Sequence, residues 1–456
     1  MERFRVELAM RLWRAHQSLL RHEAWSPRDL SAFQAAALGK LRAHAYRRSP
    51  FYRRWHAGYF ERPLVELPIL TKEHLLEVFD EAVTDPGLRY RDLDALVERG
   101  RPDLLRDRYL VVSTSGSTGR PARLAFDVGE WAWVLASLGR VTTWAGLEPG
   151  GLHRRRVATL GTLSPWHVSA RAAMTLPGWW LPSLRLDAAA PIDEVAPRLT
   201  RWQPDLLVTY GSLLGGLAQA QLEGRLQIAP RAVVSGADAL SEGARALARR
   251  AWSTPVFDEY AATEAGGIAA ECEVHDGLHL YEDLLVVEPV DDDGRVVEAG
   301  APATRVLVTV LFGRTLPLIR YEITDGMRLL PGPCRCGRPF RRIARVDGRS
   351  AEALQLRDGQ GRPVAINPVV VHEVMDTARV AGWQLIEESD RLRLLVVPPA
   401  NGVTVDGSIV PLLARALGRH GAVVPPIGLE VVSRLQREPS GKVMTVKPRQ
   451  RAERAA

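Results

Sequence analysis

Residues 204–260 read PDLLVTYGSLLGGLAQAQLEGRLQIAPRAVVSGADALSEGARALARRAWSTPVFDEY. Short β-rich runs (LLVTY, AVVSG, PVFDEY) alternate with stretches of helical pattern, and Ser241 stands where an N-cap belongs, with Glu242 in the turn that follows. Strands separated by helices pair through crossovers, so the alternation predicts a parallel, right-handed βαβ sheet. The expected fold class is α/β.

Upstream, residues 1 to about 82 carry basic and apolar positions at helical spacing and end in ELPILTKEHLLEVFDEAV, where Thr71 can cap a helix beginning near Lys72. Downstream, from Leu278, the text is strand-rich, with turn chemistry at Asp293-Gly294. After Gly348 it changes again. Strands are expected around 352–366, then a helix opened by Pro368, strands around 381–397 split at Ser389-Asp390, a helix around 408–419 and a strand at 428–432. Residues 347–456 therefore read as a small, mobile α+β lid domain following a large N-terminal α/β domain, residues 1–346, with parallel sheets.

The 456-residue chain is long enough for two to four domains, and 46% hydrophobic with 25% charged residues excludes wholesale disorder. The longest stretch without Asp, Glu, Lys or Arg, Leu206 to Leu222, is too short and too polar to span a bilayer. The N-terminal residues are charged throughout, leaving no apolar signal-peptide core. Three cysteines cannot build a disulfide framework, so a reducing, cytoplasmic setting is expected. A net charge of +7 is spread along the chain rather than massed in one stripe, which argues against nucleic-acid binding. Only four of the 60 basic residues are lysines: Lys40, Lys72, Lys442 and Lys447. Where charge alone suffices the chain uses Arg, so each Lys is a place to look for a compact ammonium.

Four segments carry chemistry. Ser115, Gly116, Ser117, Thr118 and Gly119 follow an apolar strand, and a loop of small hydroxyl and glycine residues lets backbone N–H groups approach phosphate oxygens. Its spacing excludes a Walker-type P-loop. DEYAATE, at the end of the strand PVFDEY, offers an aromatic face, a hydroxyl and a carboxylate suited to a metal ion where open α/β sheets bind ligands. RYEITD and the late Ser440-Gly441-Lys442 follow.

In this order the motifs resemble the AMP-forming, adenylate-forming ligases, specifically the phenylacetate–coenzyme A ligase branch. LSAFQAAALGKLRAHAYRRSPFYRRW, LPILTKEHL, STSGSTGRP, SGADALSE, YAATE, RYEITDG, CRCGRPFRRIARVDGRS and the final SGK carry the likeness over nearly the whole chain. The resemblance implies activation of a carboxylic acid by ATP as an acyl-adenylate, followed by transfer to coenzyme A. By the same carry-over Tyr260 would stack on adenine, with the backbone of Gly236 and Ala237 lining its other side. Thr263 would touch the α-phosphate, Glu264 would bind Mg²⁺, and Asp325 would accept from the ribose hydroxyls. Arg349 would lie at the domain junction, and Lys442 would enter from the small domain to neutralise charge as carboxylate attacks phosphorus.

The chain departs from the family pattern at Tyr260-Ala261, where Tyr-Gly is usual, and at Gly348-Arg-Ser-Ala-Glu352, where Gly-Arg-Ser/Thr-Asp-Asp is common. The segment LRDGQGRPVAINP is also longer than a compact glycine loop. These changes bear on the acceptor and leave an amide synthetase or carrier-protein loader as the alternative. A non-catalytic scaffold is opposed by Glu264, Asp325 and Lys442. Cys272, His279, Cys334 and Cys336, with His275 as a spare, form a Cys₃His set of the kind that holds structural Zn²⁺. Trp131, Trp133, Trp144, Trp166, Trp179 and Trp180 crowd the region where an acid pocket belongs. Core packing is expected for most of them, and an aromatic lining for an aryl or other apolar acid remains open.

Overall fold

The computed structural model describes residues 2–114, 122–147, 154–176, 178, 180–349, 353–366, 368–375, 378, 380, 382–398, 407–437 and 443–449. These residues fall into two compact units, each assembled from separated stretches of chain. The first comprises residues 1–152, 163–181 and 259–345, the second residues 153–162, 182–258 and 346–456.

In the first unit, local capping chemistry sets where the N-terminal helices begin. Ser26 accepts from the Asp29 amide and forms a full capping box ahead of the helix Pro27–Arg48, while Ser49 and Thr71 cap Pro50–Trp55 and Lys72–Ala82. The helix Glu2–His22 buries Phe4, Leu8, Leu12, Ala15 and Leu19, one face at helical spacing, and packs against the helix Val128–Trp144. That second helix lies directly on the strand Gly266–Glu271. A Cβ at Gly267 would stand 3.0 Å from the Ser137 backbone and 2.9 Å from the Tyr281 ring, so glycine lets the helix and strand approach this closely without displacement.

The strands of this unit are antiparallel. Glu259–Ala262, the end of the strand Val256–Ala262, pairs with Gly266–Glu271, which pairs with Leu278–Leu280 and that in turn with Arg342–Ile343. A separate sheet orders Leu285–Val290, Arg305–Val310 and Tyr321–Ile323. The Asp293-Gly294 turn forms as expected, with Gly294 at φ +79°, but the return segment makes only a Val290–Val296 bridge. The partner of Leu285–Val290 is Arg305–Val310, paired antiparallel over six residues, a strand buried on both faces from Val306 to Val310.

In the second unit the segment 204–236 folds as its alternation predicts. The strands Ala232–Gly236, Leu206–Tyr210, Val157–Gly161 and Ser183–Asp187 lie side by side, all parallel, and their buried apolar side chains pack with the helices Ile192–Trp202, Gly211–Leu222 and Glu242–Trp252. Ser241 caps the last of these through the Ala244 amide. The C-terminal segment has a core of its own. Its sheet runs Ile427–Val431, Leu392–Val397, Gly382–Glu387, Val446–Lys447, with the helices Pro368–Met375 and Ile409–Arg419. The lengthened segment after Ala353 is a β-hairpin, Leu354–Arg357 against Pro363–Ile366, whose turn is held by Asp358 accepting from the Gln360 and Arg362 amides. Among the described residues no helix is long and apolar enough to cross a membrane.

Candidate functional site

The hairpin that carries YAATE turns at Thr263 and Glu264, between the strands Val256–Ala262 and Gly266–Glu271. A register shift between Tyr260 and Ala261 bends the strand as it reaches this turn. Ala261 is not among the residues with positive φ, so an alanine fits there without backbone strain. Thr263 and Glu264 remain half-buried.

Two tyrosine–carboxylate contacts join this hairpin to the segment RYEITDG. Tyr260 and Asp325 are both buried, and the Tyr260 hydroxyl donates to the Asp325 carboxylate at 2.7 Å. The Tyr321 hydroxyl donates to Glu264 Oε1 at 3.2 Å. Burial, together with the negative charge of Glu264, holds the Tyr321 phenol well above its ordinary pKa, so it is a permanent donor. Motif reading assigned no role to Tyr321. Its signal was its place in RYEITDG, but its partner comes from a hairpin 57 residues away.

The residue before it is unusual. Arg320 is buried and adopts a left-handed backbone, φ +50°, a conformation that typically costs a non-glycine residue about 1–3 kcal/mol. It is held there from every side. Its amide donates to Thr309 Oγ1 at 3.0 Å, its carbonyl accepts from the Leu70 amide at 3.0 Å, and its guanidinium pairs with buried Glu288 at 3.2 Å and donates to the Leu67 carbonyl. Leu70 then accepts from the Glu322 amide at 2.9 Å, so LPIL clamps the chain on both sides of Tyr321.

Gly236 and Ala237 lie in the second unit, at the end of the strand Ala232–Gly236. Ala237 is left-handed, φ +68°. Asp238, next to it, accepts from the Ser212 hydroxyl at 2.7 Å and from the Ser212 amide at 3.3 Å, which ties this strained corner to the start of the helix Gly211–Leu222.

Ser115, Gly116, Ser117, Thr118 and Gly119 lie outside the described residues, as do Lys442 and the side chain of Arg349. Their flanks are defined. Thr114 and Ala122 close the hairpin around residues 115–121 through Thr114 N to Ala122 O, 3.0 Å, and Ala122 N to Thr114 Oγ1, 2.9 Å. Gln384, almost wholly buried, donates to the carbonyls of Met444 at 2.9 Å and Gln436 at 3.3 Å and accepts from the Gln436 amide at 3.2 Å. One side chain thus bridges both flanks of the segment that contains Lys442.

A second cluster lies in the first unit. The ligand atoms of Cys272, His279, Cys334 and Cys336 all fall within 4.8 Å of one another. The Cys272 and Cys334 sulfurs are 3.9 Å apart, far longer than a disulfide and close to the roughly 3.8 Å expected of two thiolates on a tetrahedral zinc. His279 Nε2 lies 3.3 Å from the Cys336 sulfur, and its Nδ1 faces the Phe340 carbonyl at 3.3 Å, the outer contact that fixes a ligating imidazole. Burial pushes the Cys272 thiol up to about 12 and the His279 imidazole down to about 4. Close approach is built in by Gly277, φ +80°, where a Cβ would meet the Ile343 carbonyl at 2.6 Å. His275 is not in the cluster; it pairs with Glu271 at 3.1 Å.

The tryptophans divide. Trp131 is fully buried and donates to Thr175 at 3.0 Å, and Trp144, also buried, donates to Glu23 at 2.7 Å; both are core. Trp179 lies outside the described residues.

No protein-family model matches the chain. It is similar to the phenylacetate–coenzyme A ligase of Escherichia coli (strain K12), 26% identical over 357 residues, 74% of each chain. It is also similar to the phenylacetate–coenzyme A ligase of Thermus thermophilus, 26% identical over 381 residues, 76% of each chain. Among solved structures it resembles a 2-hydroxyisobutyryl-CoA ligase in complex with 2-HIB-AMP, with a TM-score of 0.72 and 19% identity over 94% of this chain and 92% of that one. A benzoate CoA ligase from Burkholderia xenovorans LB400 aligns with a TM-score of 0.52 and 13% identity over 74% of this chain and 68% of that one.

Proposed function

We propose that this chain, a relative of the phenylacetate–coenzyme A ligases built on the adenylate-forming fold, is an AMP-forming acid–thiol ligase. It joins a carboxylic acid to ATP as an acyl-adenylate, releases pyrophosphate, and passes the acyl group to coenzyme A. The observation that carries this reading is the Tyr260–Asp325 hydrogen bond. It places an aromatic ring and a carboxylate side by side, the pair that adenine and a ribose diol require.

Within that reading Tyr260 stacks on adenine, with the backbone of Gly236 and Ala237 on the opposite side, and Asp325 accepts from the ribose hydroxyls. Residues 115–119 cradle phosphate, Thr263 contacts the α-phosphate, and Arg349 works at the junction with the lid, residues 347–456. Lys442 brings an ammonium to the point where one anion must attack another, a step governed by positioning and charge stabilisation. Glu264, a half-buried carboxylate on a tight turn, is a hard oxygen donor that fits Mg²⁺. Bound there, the ion would neutralise phosphate charge.

The Cys₃His cluster fits a structural Zn²⁺: four donors converge, leaving no protein ligand position open for catalysis. Three free cysteines suit a reducing, cytoplasmic setting. The acid is proposed to be aryl or otherwise apolar. The test is pyrophosphate release across a panel of aryl and aliphatic acids, with and without coenzyme A. Acid-dependent release with thioester formation is expected; no release with any acid would remove the reading, and adenylate formation with transfer only to amines would redirect it to an amide synthetase.

A further inference from the structure

Tyr321 is more tightly fixed than a buried tyrosine needs to be. It is 2% exposed, Leu70 pairs across it, and the left-handed Arg320 turns the chain immediately before it. Its hydroxyl could have met any backbone carbonyl, yet it reaches the Glu264 carboxylate of another hairpin at 3.2 Å. Resting on the assignment of Glu264 to Mg²⁺ above, we propose that Tyr321 is a positioning residue that orients the Glu264 carboxylate for the metal ion.

A glutamate side chain turns about three bonds, and Glu264 stands half-buried on a turn. Left to itself such a carboxylate samples several orientations, each presenting its lone pairs differently. A hydrogen bond to Oε1 from a rigid phenol removes that freedom, and a carboxylate, with about four lone-pair sites, can accept it and still serve as a metal ligand. The phenol is rigid because its backbone is. Arg320 is fixed by Thr309, Glu288 and Leu67, and Leu70 bonds the chain on either side of Tyr321. The N-terminal segment LPIL is thereby coupled to the metal ligand through covalent geometry and hydrogen bonds.

The experiment is Tyr321→Phe in the full chain, which deletes one oxygen and keeps the ring. ATP binding is measured by calorimetry without metal and across a Mg²⁺ titration, with Glu264→Gln in parallel and thermal unfolding of each variant. Loss of an outer contact to a metal ligand typically weakens metal affinity 10–100-fold. Tyr321→Phe is expected to raise the Mg²⁺ concentration for half-maximal enhancement about 10-fold, with metal-free ATP affinity within about twofold of wild type. If Glu264→Gln changes the Mg²⁺ titration and Tyr321→Phe does not, the role of Tyr321 is overturned while Glu264 stands. If Tyr321→Phe weakens metal-free ATP binding by as much as it shifts the titration, the hydroxyl is structural and the proposal falls. If neither variant alters the titration, the Glu264 assignment fails and this inference with it.

Discussion

The hydroxyl of Tyr260 donates to the carboxylate of Asp325 at 2.7 Å, two buried side chains 65 residues apart in sequence. The contact fixes the tilt of the ring and one oxygen of the carboxylate. Tyr260→Phe keeps the stacking face and loses only the hydrogen bond, so ATP binding should weaken by about 0.5–1.5 kcal/mol. Asp325→Ala removes a charged acceptor and should cost about 1–3 kcal/mol. Calorimetric titration of ATP checks both; wild-type affinity in Asp325→Ala would withdraw its ribose role.

Asp283 anchors a buried ion pair. Arg140 meets it through two hydrogen bonds, 2.8 and 2.7 Å, His22 contacts it at 2.8 Å, and the guanidinium lies over Trp144, Tyr281 and Phe340. Burial alone would raise the Asp283 pKa, but Arg140 and His22 outweigh it and hold the carboxyl down at about 2. Its folded-state value is below the unfolded one, so its stabilisation is complete above about pH 4 and is lost as pH falls toward 2. That contribution is about 2–3 kcal/mol. Asp283→Ala leaves Arg140 charged and buried, which should cost about 3–5 kcal/mol and lower the thermal midpoint by roughly 5–10 °C at neutral pH. Thermal melts of both proteins between pH 2 and pH 7 should show the difference shrinking at the acid end.

The cysteine cluster predicts about one zinc per chain in protein purified without added metal. Elemental analysis should find it, and Cys334→Ala should lose it. Arg338 links the cluster region to the turn that follows the N-terminal helix, pairing with Glu23 at 3.3 Å, and also pairs with Glu273 at 2.8 Å. Removal of metal by chelation should therefore also expose the first helix, read as faster amide exchange within Glu2–His22. Unchanged metal content in Cys334→Ala would discard the site.

Lys442 should act on one half-reaction only, because a mobile lid would bring it to the α-phosphate for adenylation and carry it away for transfer. Lys442→Ala is expected to slow adenylate formation about 10²–10³-fold and to spare transfer from a supplied acyl-adenylate. Lys442→Arg should rescue poorly, since a planar guanidinium does not replace a compact ammonium. Gln384→Leu removes the bridge between Gln436 and Met444 and should slow the same step by a smaller factor. Single-turnover kinetics of each half-reaction check all three; equal damage to both steps by Lys442→Ala would remove the lysine from the mechanism.

Read alone, the sequence determined the parallel strands of 204–236, the caps at Thr71 and Ser241, the strand and helix order after residue 353 and the membership of the Cys₃His set. Each of these is decided by periodicity, local capping or residue chemistry within a few turns of chain. The sequence did not determine which carboxylate each tyrosine would meet. Tyr260 with Asp325, Tyr321 with Glu264, and Arg140 with Asp283 are pairings across 57 to 143 residues. The choice of His279 over His275 made from spacing agrees with the cluster, and strand register supplies the reason: His279 stands on the strand paired with Arg342–Ile343, while His275 pairs with Glu271. Only the packing of one hairpin against another sets those distances, and the left-handed turn at Arg320 exists because tertiary hydrogen bonds offset a backbone strain that no local preference would select.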